Sequence, residues 1–365
     1  MLEGKRENIR SFDWLLFITA GLLFIVGLST IYSTILAGEG QPTSLITRQL
    51  LALVIGLIMA AVVIWVDLKY VYYITPVLYV ISIALLVGLL FYTDPIRGIK
   101  GWFVIGPLQV QPAEFVKITV ALSMAAYVRL IGSKISTWKG LFGGLGILGL
   151  PLLLIIAQPD LGTALVLLFM GGGILFFSNV DLRKLILVLV IMVALSPVLY
   201  GQLEPYQQQR ITSFLNPGAD PLGTGYNQIQ SEIAVGSGSV LGRGWGRGTQ
   251  SHLQFLPEQH TDFIFATFAE EFGFLGSVVV ILLYTLLVGR IFVISRSVSD
   301  QYLFLITISM ALFIVAHVLV NIGMNIGVLP VAGLPLPLMS YGGSSLLATI
   351  IALGIIESVA IRRLN

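Results

Sequence analysis

The chain has 365 residues, of which 56% are hydrophobic and only 10% are charged, whereas about 25% of the residues in an average soluble domain are charged. Twenty Lys and Arg against 18 Asp and Glu give a formal net charge of +2 without a long basic cluster, so we expect no nucleic-acid partner. The absence of Cys excludes disulfides, thiolate metal sites and cysteine nucleophiles. This composition predicts an all-α polytopic membrane protein and excludes a large soluble domain.

Ten apolar runs, each bounded by charged residues or by Gly and Pro, approach the length of roughly 20 residues that a membrane-spanning helix needs. In chain order they cover residues 14–35, 45–66, 71–92, 112–130, 141–157, 161–178, 185–200, 264–289, 303–324 and 341–361. We therefore expect one membrane domain over residues 1–365, with one large loop, residues 201–261, between the seventh and eighth helices.

An even number of spans places both termini on one side of the membrane. That side then carries thirteen of the twenty basic residues: Lys5, Arg6, Arg10, Lys69, Arg129, Lys134, Lys139, Arg183, Lys184, Arg290, Arg296, Arg362 and Arg363. The short connections of the other side carry only Arg48, Arg97 and Lys100. Because Lys and Arg accumulate in cytoplasmic loops, both termini are predicted to be cytoplasmic and the 201–261 loop to be extracytoplasmic.

Four unusual segments fall on the predicted outer side. They are the connection 93–111, the turn 158–163, the long loop 201–261 and the Gly-, Pro- and Ser-rich stretch 325–345. Long loops in a compact protein usually serve function, so we expect a site that opens outward.

Acidic residues inside or beside a span cost free energy unless they are paired or hydrated, which makes each a candidate site residue. Glu114 and Lys117 are three residues apart on a helix that begins at Pro112, so they share a face. The pair is either a structural ion pair or an anion site in which Glu114 orients Lys117. Asp160 precedes an apolar helix, where it is either a simple N-cap or a substrate ligand.

Asp262 lies where the polar stretch 256–261 meets an apolar run that begins at Phe263. A carboxylate at such a boundary is partly desolvated and can act as a general base, whereas the structural alternative is an N-cap. His260 lies two residues earlier, but this pair alone is a weak metal signal. One of Glu270 and Glu271 is expected to pair inside the helix bundle.

The loop contains the sequence Gly-Arg-Gly-Trp-Gly-Arg-Gly at 242–248. Glycine backbone can bring N–H groups close to a ligand, and the guanidinium groups of Arg243 and Arg247 suit phosphate. Arg210 is a further candidate cation. The alternative is a flexible basic loop, and the segment is no nucleotide-binding P-loop because it lacks Gly-Lys-Ser/Thr.

Several motifs, taken in order, resemble the SEDS family (shape, elongation, division and sporulation). They are Gly-Trp at 101–102, Gln-Pro-Ala-Glu-Phe-Val-Lys at 111–117, Ala-Gln-Pro-Asp-Leu-Gly-Thr at 157–163, Asp-Pro-Leu-Gly-Thr-Gly-Tyr at 220–226, Gln-Ser-Glu-Ile-Ala-Val-Gly-Ser-Gly at 230–238, Phe-Leu-Pro-Glu-Gln-His-Thr-Asp-Phe-Ile-Phe-Ala at 255–266 and Leu-Pro-Leu-Pro-Leu-Met-Ser-Tyr-Gly-Gly-Ser-Ser at 334–345. Residues 248–251 and 328–338 resemble the RodA-like elongation branch more than the division branch.

This resemblance implies a peptidoglycan glycosyltransferase in the cytoplasmic (inner) membrane that polymerises lipid II on the outer face and releases undecaprenyl diphosphate. It also implies a class B penicillin-binding transpeptidase as partner, within the elongation machinery. Asp262 is then the candidate catalytic base. The candidate substrate-binding residues are Trp102, Glu114, Lys117, Asp160, Arg210, Arg243, Arg247, His260, Ser340 and Tyr341.

Two questions stay open at this stage. A divalent cation, Mg²⁺ or Mn²⁺, could bridge the phosphates of the substrate, although no ligand motif identifies one. A lipid II flippase would also need a polar cavity and charges within the membrane. A flippase needs functional polar residues on both faces, whereas the predicted cytoplasmic loops carry little beyond their basic residues, which favours the enzyme. A third possibility is a scaffold for the transpeptidase, and against it stands the cost of placing Glu114, Lys117 and Asp262 near the membrane without a chemical reason.

Overall fold

The computed structural model describes residues 12–37, 44–96, 98–106, 108–201, 203, 205–221, 223, 225–252 and 255–362. Among the cations used to predict orientation, five lie outside these ranges: Lys5, Arg6, Arg10, Arg97 and Arg363.

The described chain is predominantly helical, with one small antiparallel hairpin. In chain order its elements are α1 (Trp14–Ala37), α2 (Ser44–Trp65), α3 (Leu68–Tyr92), β1 (Phe103–Ile105), β2 (Leu108–Val110), α4 (Pro112–Ile131), α5 (Trp138–Ala157), α6 (Leu161–Phe177), α7 (Leu182–Tyr200), α8 (Pro205–Leu215), α9 (Tyr226–Ser237), α10 (Thr249–His252), α11 (Ile264–Arg296), α12 (Gln301–Asn325) and α13 (Gly343–Arg362). Short 3₁₀ turns follow α4 and α8.

Every predicted span coincides with a helix. Within the described ranges, eight helices are long and apolar enough to cross a membrane, namely α1 to α5 and α11 to α13. The sixth, α6, is apolar but has only 17 residues. Together with α7 it covers the remaining two predicted spans, so the full count of ten crossings stays a prediction.

The centre of the bundle is formed by α4, α12 and α13, whose side chains are mostly buried. Along the contact between α2 and α13, Gly354 lies so close to Ala60 that a Cβ at Gly354 would be 2.9 Å from the Ala60 backbone. Small residues at such contacts allow helix backbones to approach within a membrane. The helices α1, α2, α3 and α7 expose large apolar side chains, as expected of surfaces in contact with lipid.

The predicted loop 201–261 contains secondary structure that the sequence analysis does not anticipate. Three short helices, α8, α9 and α10, lie within it. The longest, α9, packs into the bundle, because Ala234 is fully buried and the Ser231 hydroxyl donates a hydrogen bond to the Asn325 carbonyl at 2.9 Å. This part of the loop therefore forms part of the core at the end of α12.

The long helix α11 is interrupted at Gly273, whose φ of 67° and ψ of −164° are not helical. The loop from Gly238 to Gly248 closes around this interruption. The N–H groups of Phe274 and Leu275 donate to the carbonyls of Ser239 and Val240 at 2.9 and 3.1 Å. The kink thus lets a loop satisfy backbone groups that a continuous helix would bond internally.

We predict that Gly273→Ala destabilises the protein strongly. The positive φ disfavours a side chain, and an added Cβ would be 2.3 Å from the Gly242 nitrogen. We expect a loss of more than about 2 kcal/mol, measured as a lower melting temperature in detergent. Gly289→Ala in the same helix is the matched control, because a Cβ there meets no atom within 4 Å and should be neutral or slightly stabilising. Equal melting temperatures for the two variants would contradict this explanation.

Candidate active site

Residues 326–342, here called the interhelical segment, connect α12 to α13 without regular secondary structure. From Leu334 onward the segment enters the buried interior, where Leu334, Leu336, Leu338, Met339 and Ser340 lie. Non-helical backbone at membrane depth is tolerated only where protein groups satisfy its N–H and C=O groups. Polar side chains from neighbouring helices perform this task.

Two of these side chains come from α12. The Asn321 amide donates to the Leu334 carbonyl at 2.7 Å, and His317 Nδ1 is 3.2 Å from the Pro335 carbonyl. Because a carbonyl can only accept, Nδ1 carries the proton and Nε2 is left as an acceptor. Both side chains are fully buried, so these contacts hold the segment in the interior of the bundle.

Two further side chains come from α2 and α11. The buried Gln49 amide donates to the Ser340 carbonyl at 3.0 Å, while its oxygen accepts from the Gly342 N–H at 3.2 Å. The Tyr284 hydroxyl donates to the Pro337 carbonyl at 2.5 Å. Three different helices therefore fix the interhelical segment.

The same network fixes the backbone of Asp262. The amides of Asn321 and Asn325 both donate to the Asp262 carbonyl, at 2.9 and 3.0 Å. The Ser340 hydroxyl donates to the neighbouring Thr261 carbonyl at 2.6 Å. Each buried hydrogen bond contributes on the order of 1 kcal/mol, and several on adjacent carbonyls leave the backbone little freedom.

The Asp262 side chain is only partly buried, and its Oδ2 lies next to Gly333, where a Cβ would be 3.6 Å away. The alternative that Asp262 caps the following helix is wrong. The cap position of α11 is Phe263, and the Ala266 N–H is satisfied by Asn325 Oδ1 at 3.0 Å. The carboxylate thus stands on a rigid backbone and retains access to the surface, which suits a general base.

His260 and Tyr341 extend this group. The Tyr341 N–H donates to the His260 carbonyl at 2.8 Å, and the two rings meet edge to face with centroids 5.8 Å apart. Both side chains are partly exposed. The structure therefore brings Asp262, His260, Ser340 and Tyr341 together.

Lys117 is fully buried on α4, where its ammonium donates to Glu114 Oε1 at 2.7 Å, as their spacing predicts. It also lies 2.8 Å from His317 Nε2, the nitrogen left as an acceptor. A charge taken out of water costs several kcal/mol, which the carboxylate and the imidazole offset. Lys117 is thereby connected through His317 to the interhelical segment that lies beside Asp262. Its predicted contact with an anion stays a prediction.

Asp160 caps α6, as its position predicts. Its carboxylate accepts from the Thr163 N–H at 3.0 Å and from the Thr163 hydroxyl at 2.8 Å, and Gln111 approaches it at 3.4 Å. The first turn of α6 packs closely against the interhelical segment, because a Cβ at Gly162 would be 2.4 Å from the Ala332 carbonyl oxygen. Its role as a substrate ligand stays a prediction, as does that of Trp102, which lies half-buried just before β1.

The glycine-rich loop does not offer its N–H groups to a ligand, and this expectation is wrong. The N–H groups of Arg243 and Gly244 donate to the carbonyls of Glu270 and Glu271, both at 3.0 Å, and the Gly246 N–H donates to Glu271 Oε1 at 3.2 Å. These bonds tie the loop to the kink in α11, and the alternative of a flexible basic loop stays a prediction.

Glu270 and Glu271 are thus structural acceptors. Glu271 also accepts from the Ser33 hydroxyl of α1, which confirms that one of the two pairs inside the bundle. Glu270 accepts from the Gln250 N–H at 2.9 Å and the Thr249 hydroxyl at 3.2 Å.

The candidate arginines are not grouped with Asp262. Arg243 and Arg247 are exposed on the loop at the α11 kink, about ten residues or 15 Å along the helix axis from Asp262. The Arg243 guanidinium bonds Thr249 at 3.0 Å. Arg210 is partly buried on α8.

His317, Asn321 and Asn325 were not among the site residues predicted from the sequence. They recur at four-residue spacing inside an apolar helix, so they share one face, and this spacing was a visible signal. Gln49 was overlooked for a different reason, because a single amide near a helix end gives no such pattern.

The divalent cation that could bridge the substrate phosphates stays a prediction. Across the part of the chain that the structure describes, no three His, Asp or Glu side chains gather in a way that could hold an ion. We therefore assign no metal ligand and route no chemical step through one.

Comparison with known proteins defines the family. The family model described as "Cell cycle protein" (FTSW_RODA_SPOVE) matches residues 9–364. The chain belongs to this family. It is 37% identical to the peptidoglycan glycosyltransferase MrdB of Escherichia coli K12 over 345 residues, which covers 94% of this chain and 93% of the relative. It is 32% identical to the peptidoglycan glycosyltransferase RodA of Treponema pallidum over 98% of this chain and 99% of the relative.

Solved structures agree. A chain from a peptidoglycan synthase complex that coordinates polymerization and crosslinking superposes with a TM-score of 0.83, at 31% identity, over 96% of this chain and 98% of that chain. The rod shape determining protein RodA of Thermus thermophilus gives a TM-score of 0.74 at 29% identity, over 97% of this chain and 98% of that chain. The helical arrangement described above is therefore the RodA-like fold.

The Glu114–Lys117 pair can be tested by single and double substitutions. Glu114→Gln leaves the Lys117 ammonium buried without a carboxylate and should cost about 3 to 5 kcal/mol of stability, seen as a loss of folded yield. Combining it with Lys117→Met should recover much of this yield. Arg129→Gln is the control, because the Arg129–Asp300 pair is 46% and 38% exposed and should contribute less than about 1 kcal/mol.

Activity of the double variant then separates the two interpretations. If Lys117 binds a substrate anion, or positions the interhelical segment through His317, the folded double variant should polymerise poorly. Full activity in a well-folded double variant would eliminate the anion site and leave a purely structural pair.

Proposed function

We propose that this protein is a peptidoglycan glycosyltransferase that polymerises lipid II into glycan strands for cell elongation and rod shape, with release of undecaprenyl diphosphate. Near full-length similarity to relatives named peptidoglycan glycosyltransferase supports the reaction class. The observation in the molecule that carries the proposal is the Asp262 carboxylate, which is partly exposed on a backbone held by Asn321 and Asn325.

The proposed setting is the cytoplasmic membrane, with ten crossings, both termini inside and the site facing outward. Basic residues support this orientation. Three basic residues fall at helix ends on the predicted inner side, namely Lys69 at the start of α3, Arg296 at the end of α11 and Arg362 at the end of α13. Asp262 lies just before the opposite end of α11, which begins at Ile264.

Reporter fusions test the orientation. Because cations accumulate on the terminus side, a reporter fused after Asn365 should be cytoplasmic and one inserted at Asp220 should be extracytoplasmic. A pair of enzymatic reporters, each active in only one compartment, makes the measurement. Detection of both fusions in one compartment would contradict the three crossings predicted between Asp220 and Asn365, and with them the proposed loop position.

In the proposed reaction, Asp262 accepts the proton of the 4-hydroxyl of an acceptor N-acetylglucosamine as its oxygen attacks the anomeric carbon of the donor strand. The bond from that carbon to the diphosphate breaks, and the configuration inverts from α to β. The base must hold its position to within a fraction of an ångström, which the bonded carbonyls of residues 260–262 provide.

Negative charge accumulates on the departing diphosphate, so a cation near it would lower the barrier. Arg243 and Arg247 are candidates because their guanidinium groups are exposed, and Arg210 is a third. Lys117 already contacts Glu114 and His317 and is fully buried, so direct contact of the diphosphate with its third N–H would require the surrounding packing to open. We assign to Lys117 first a positioning role, through His317, on the interhelical segment.

A class B penicillin-binding transpeptidase is the proposed partner. The structural match to a chain of a peptidoglycan synthase complex supports it, because that complex coordinates polymerization with crosslinking.

Asp262→Asn tests the proposed base. The amide keeps the size of the side chain but cannot accept the proton, so turnover should fall by roughly 100-fold or more while the folded yield is retained. Polymerisation of lipid II is measured with equal amounts of folded protein and its partner transpeptidase. Asp181→Asn, on the exposed turn before α7, is the matched control and should be fully active.

Near-normal polymerisation by Asp262→Asn would refute the assignment and direct attention to Glu258 or Asp160.

The same samples also test the alternative that the protein is a lipid II flippase. Transport of lipid II across vesicles without polymer formation by the wild-type protein would favour it over the transferase.

A further inference from the structure

A second site lies at the opposite end of the bundle from Asp262. A cavity of about 400 Å³ opens where α3 and α12 begin and where α4 and α13 end. Its charged lining consists of Asp67, Lys69, Arg129, Asp300 and Arg362. None of these residues takes part in the proposed transferase reaction.

The two carboxylates of this cavity are already in use. Asp67 caps α3 by accepting from the Lys69 N–H at 2.9 Å. Asp300 caps α12 by accepting from the Tyr302 N–H at 2.8 Å, and it also pairs with Arg129 at 3.1 Å. Asp300 is thus engaged through both oxygens, by its cap and by Arg129, whereas Asp67 uses one oxygen for its cap.

The cations are less fully compensated. Arg362 donates to the carbonyls of Ile64 and Val66 at 3.1 and 2.9 Å, which satisfies its N–H groups without neutralising its charge. Lys69 is exposed, and its ammonium has no hydrogen-bond partner within the described residues. Three cations against two carboxylates leave the lining positive, which suits an anion.

A second cavity of about 400 Å³ continues from the first, because Tyr72 and Tyr73 line both. It is an apolar groove between α3, α4 and α5, and its lining includes Val80, Ala126 and Ile147. Val80 is 66% exposed, so the groove opens toward lipid. From Tyr72 to Val80 it follows α3 for about 12 Å, most of the depth of one leaflet of a hydrocarbon core about 30 Å thick.

We propose that these two cavities form one binding site for an anionic phospholipid of the leaflet into which α13 ends. The headgroup phosphate lies against Lys69, Arg129 and Arg362, and an acyl chain lies in the groove along α3. Free phosphate would use only the charged cavity, whereas a phospholipid requires both. Basic cavities between membrane helices at the cytoplasmic surface are suited to anionic headgroups. The site joins the inner ends of α4 and α12, the helices that carry Lys117 and His317.

The test uses the purified full-length protein in mixed micelles. Its melting temperature is titrated with phosphatidylglycerol, with phosphatidylcholine of the same acyl chains, and with inorganic phosphate. We expect phosphatidylglycerol to stabilise at lower concentration than phosphatidylcholine, and inorganic phosphate to have little effect. Lys69→Gln should weaken the apparent affinity for phosphatidylglycerol about five-fold, the amount expected for one basic residue near an anionic surface.

Matched variants separate this site from the general membrane surface. Lys139→Gln removes an exposed lysine elsewhere on the same side and should leave the affinity unchanged. Ala126→Trp fills the groove and should abolish the preference for phosphatidylglycerol, whereas Ala61→Trp, on the lipid-exposed face of α2, should not. Should Ala126→Trp fail to fold, the comparison of Lys69→Gln with Lys139→Gln still decides.

Three outcomes would overturn the proposal. They are equal stabilisation by the two phospholipids, an equal effect of inorganic phosphate alone, and equal losses for Lys69→Gln and Lys139→Gln. Because the readout is thermal stability, a failure here leaves the transferase proposal untouched, and inactivity toward lipid II leaves this one untouched.

Discussion

The architecture depends on one constraint, which is that a non-helical stretch of the interhelical segment, residues 334–340, is largely buried within a helix bundle. Each of its backbone groups would cost several kcal/mol if it were left without a partner there. Gln49, Tyr284, His317 and Asn321 come from three helices to bond it. These side chains fix how α2, α11 and α12 pack, and the segment in turn fixes the backbone beside Asp262. The hydrogen bonds to the interhelical segment therefore determine both the packing of the bundle and the geometry of the site.

This arrangement also explains why Lys117 is retained in the centre of the bundle. An ammonium that only neutralised Glu114 could be exchanged for apolar residues with little loss. Its second contact, with His317 Nε2, requires the imidazole to carry its proton on Nδ1, which is the nitrogen that faces the Pro335 carbonyl. The ammonium of Lys117 thus selects the His317 tautomer that bonds the interhelical segment. Through this contact the buried Glu114–Lys117 pair helps to position that segment.

The features that the sequence predicted well are those set by local physics. Span positions follow from hydropathy, the Glu114–Lys117 contact from helical spacing, and the Asp160 cap from the chain position before a helix. The features it predicted badly depend on partners distant in sequence. The glycine-rich loop was expected to offer N–H groups to a ligand, but the carbonyls of Glu270 and Glu271 take them. Nothing in 242–248 encodes those acceptors, because they exist only through the kink at Gly273.

The kink at Gly273 and the interhelical segment both contain backbone groups that no helix satisfies, and the two places supply partners for these groups in opposite ways. At Gly273 a helix opens, and the freed N–H groups of Phe274 and Leu275 bond a polar loop at the outer edge of the bundle. In the interhelical segment the helix is absent, and buried side chains supply the bonds. The first solution leaves Arg243 and Arg247 exposed at the surface, whereas the second leaves one carboxylate half-buried on a rigid backbone. A site that must admit a charged headgroup from water while its lipid tail stays in the bilayer requires both environments side by side, and α11 connects them within about three turns.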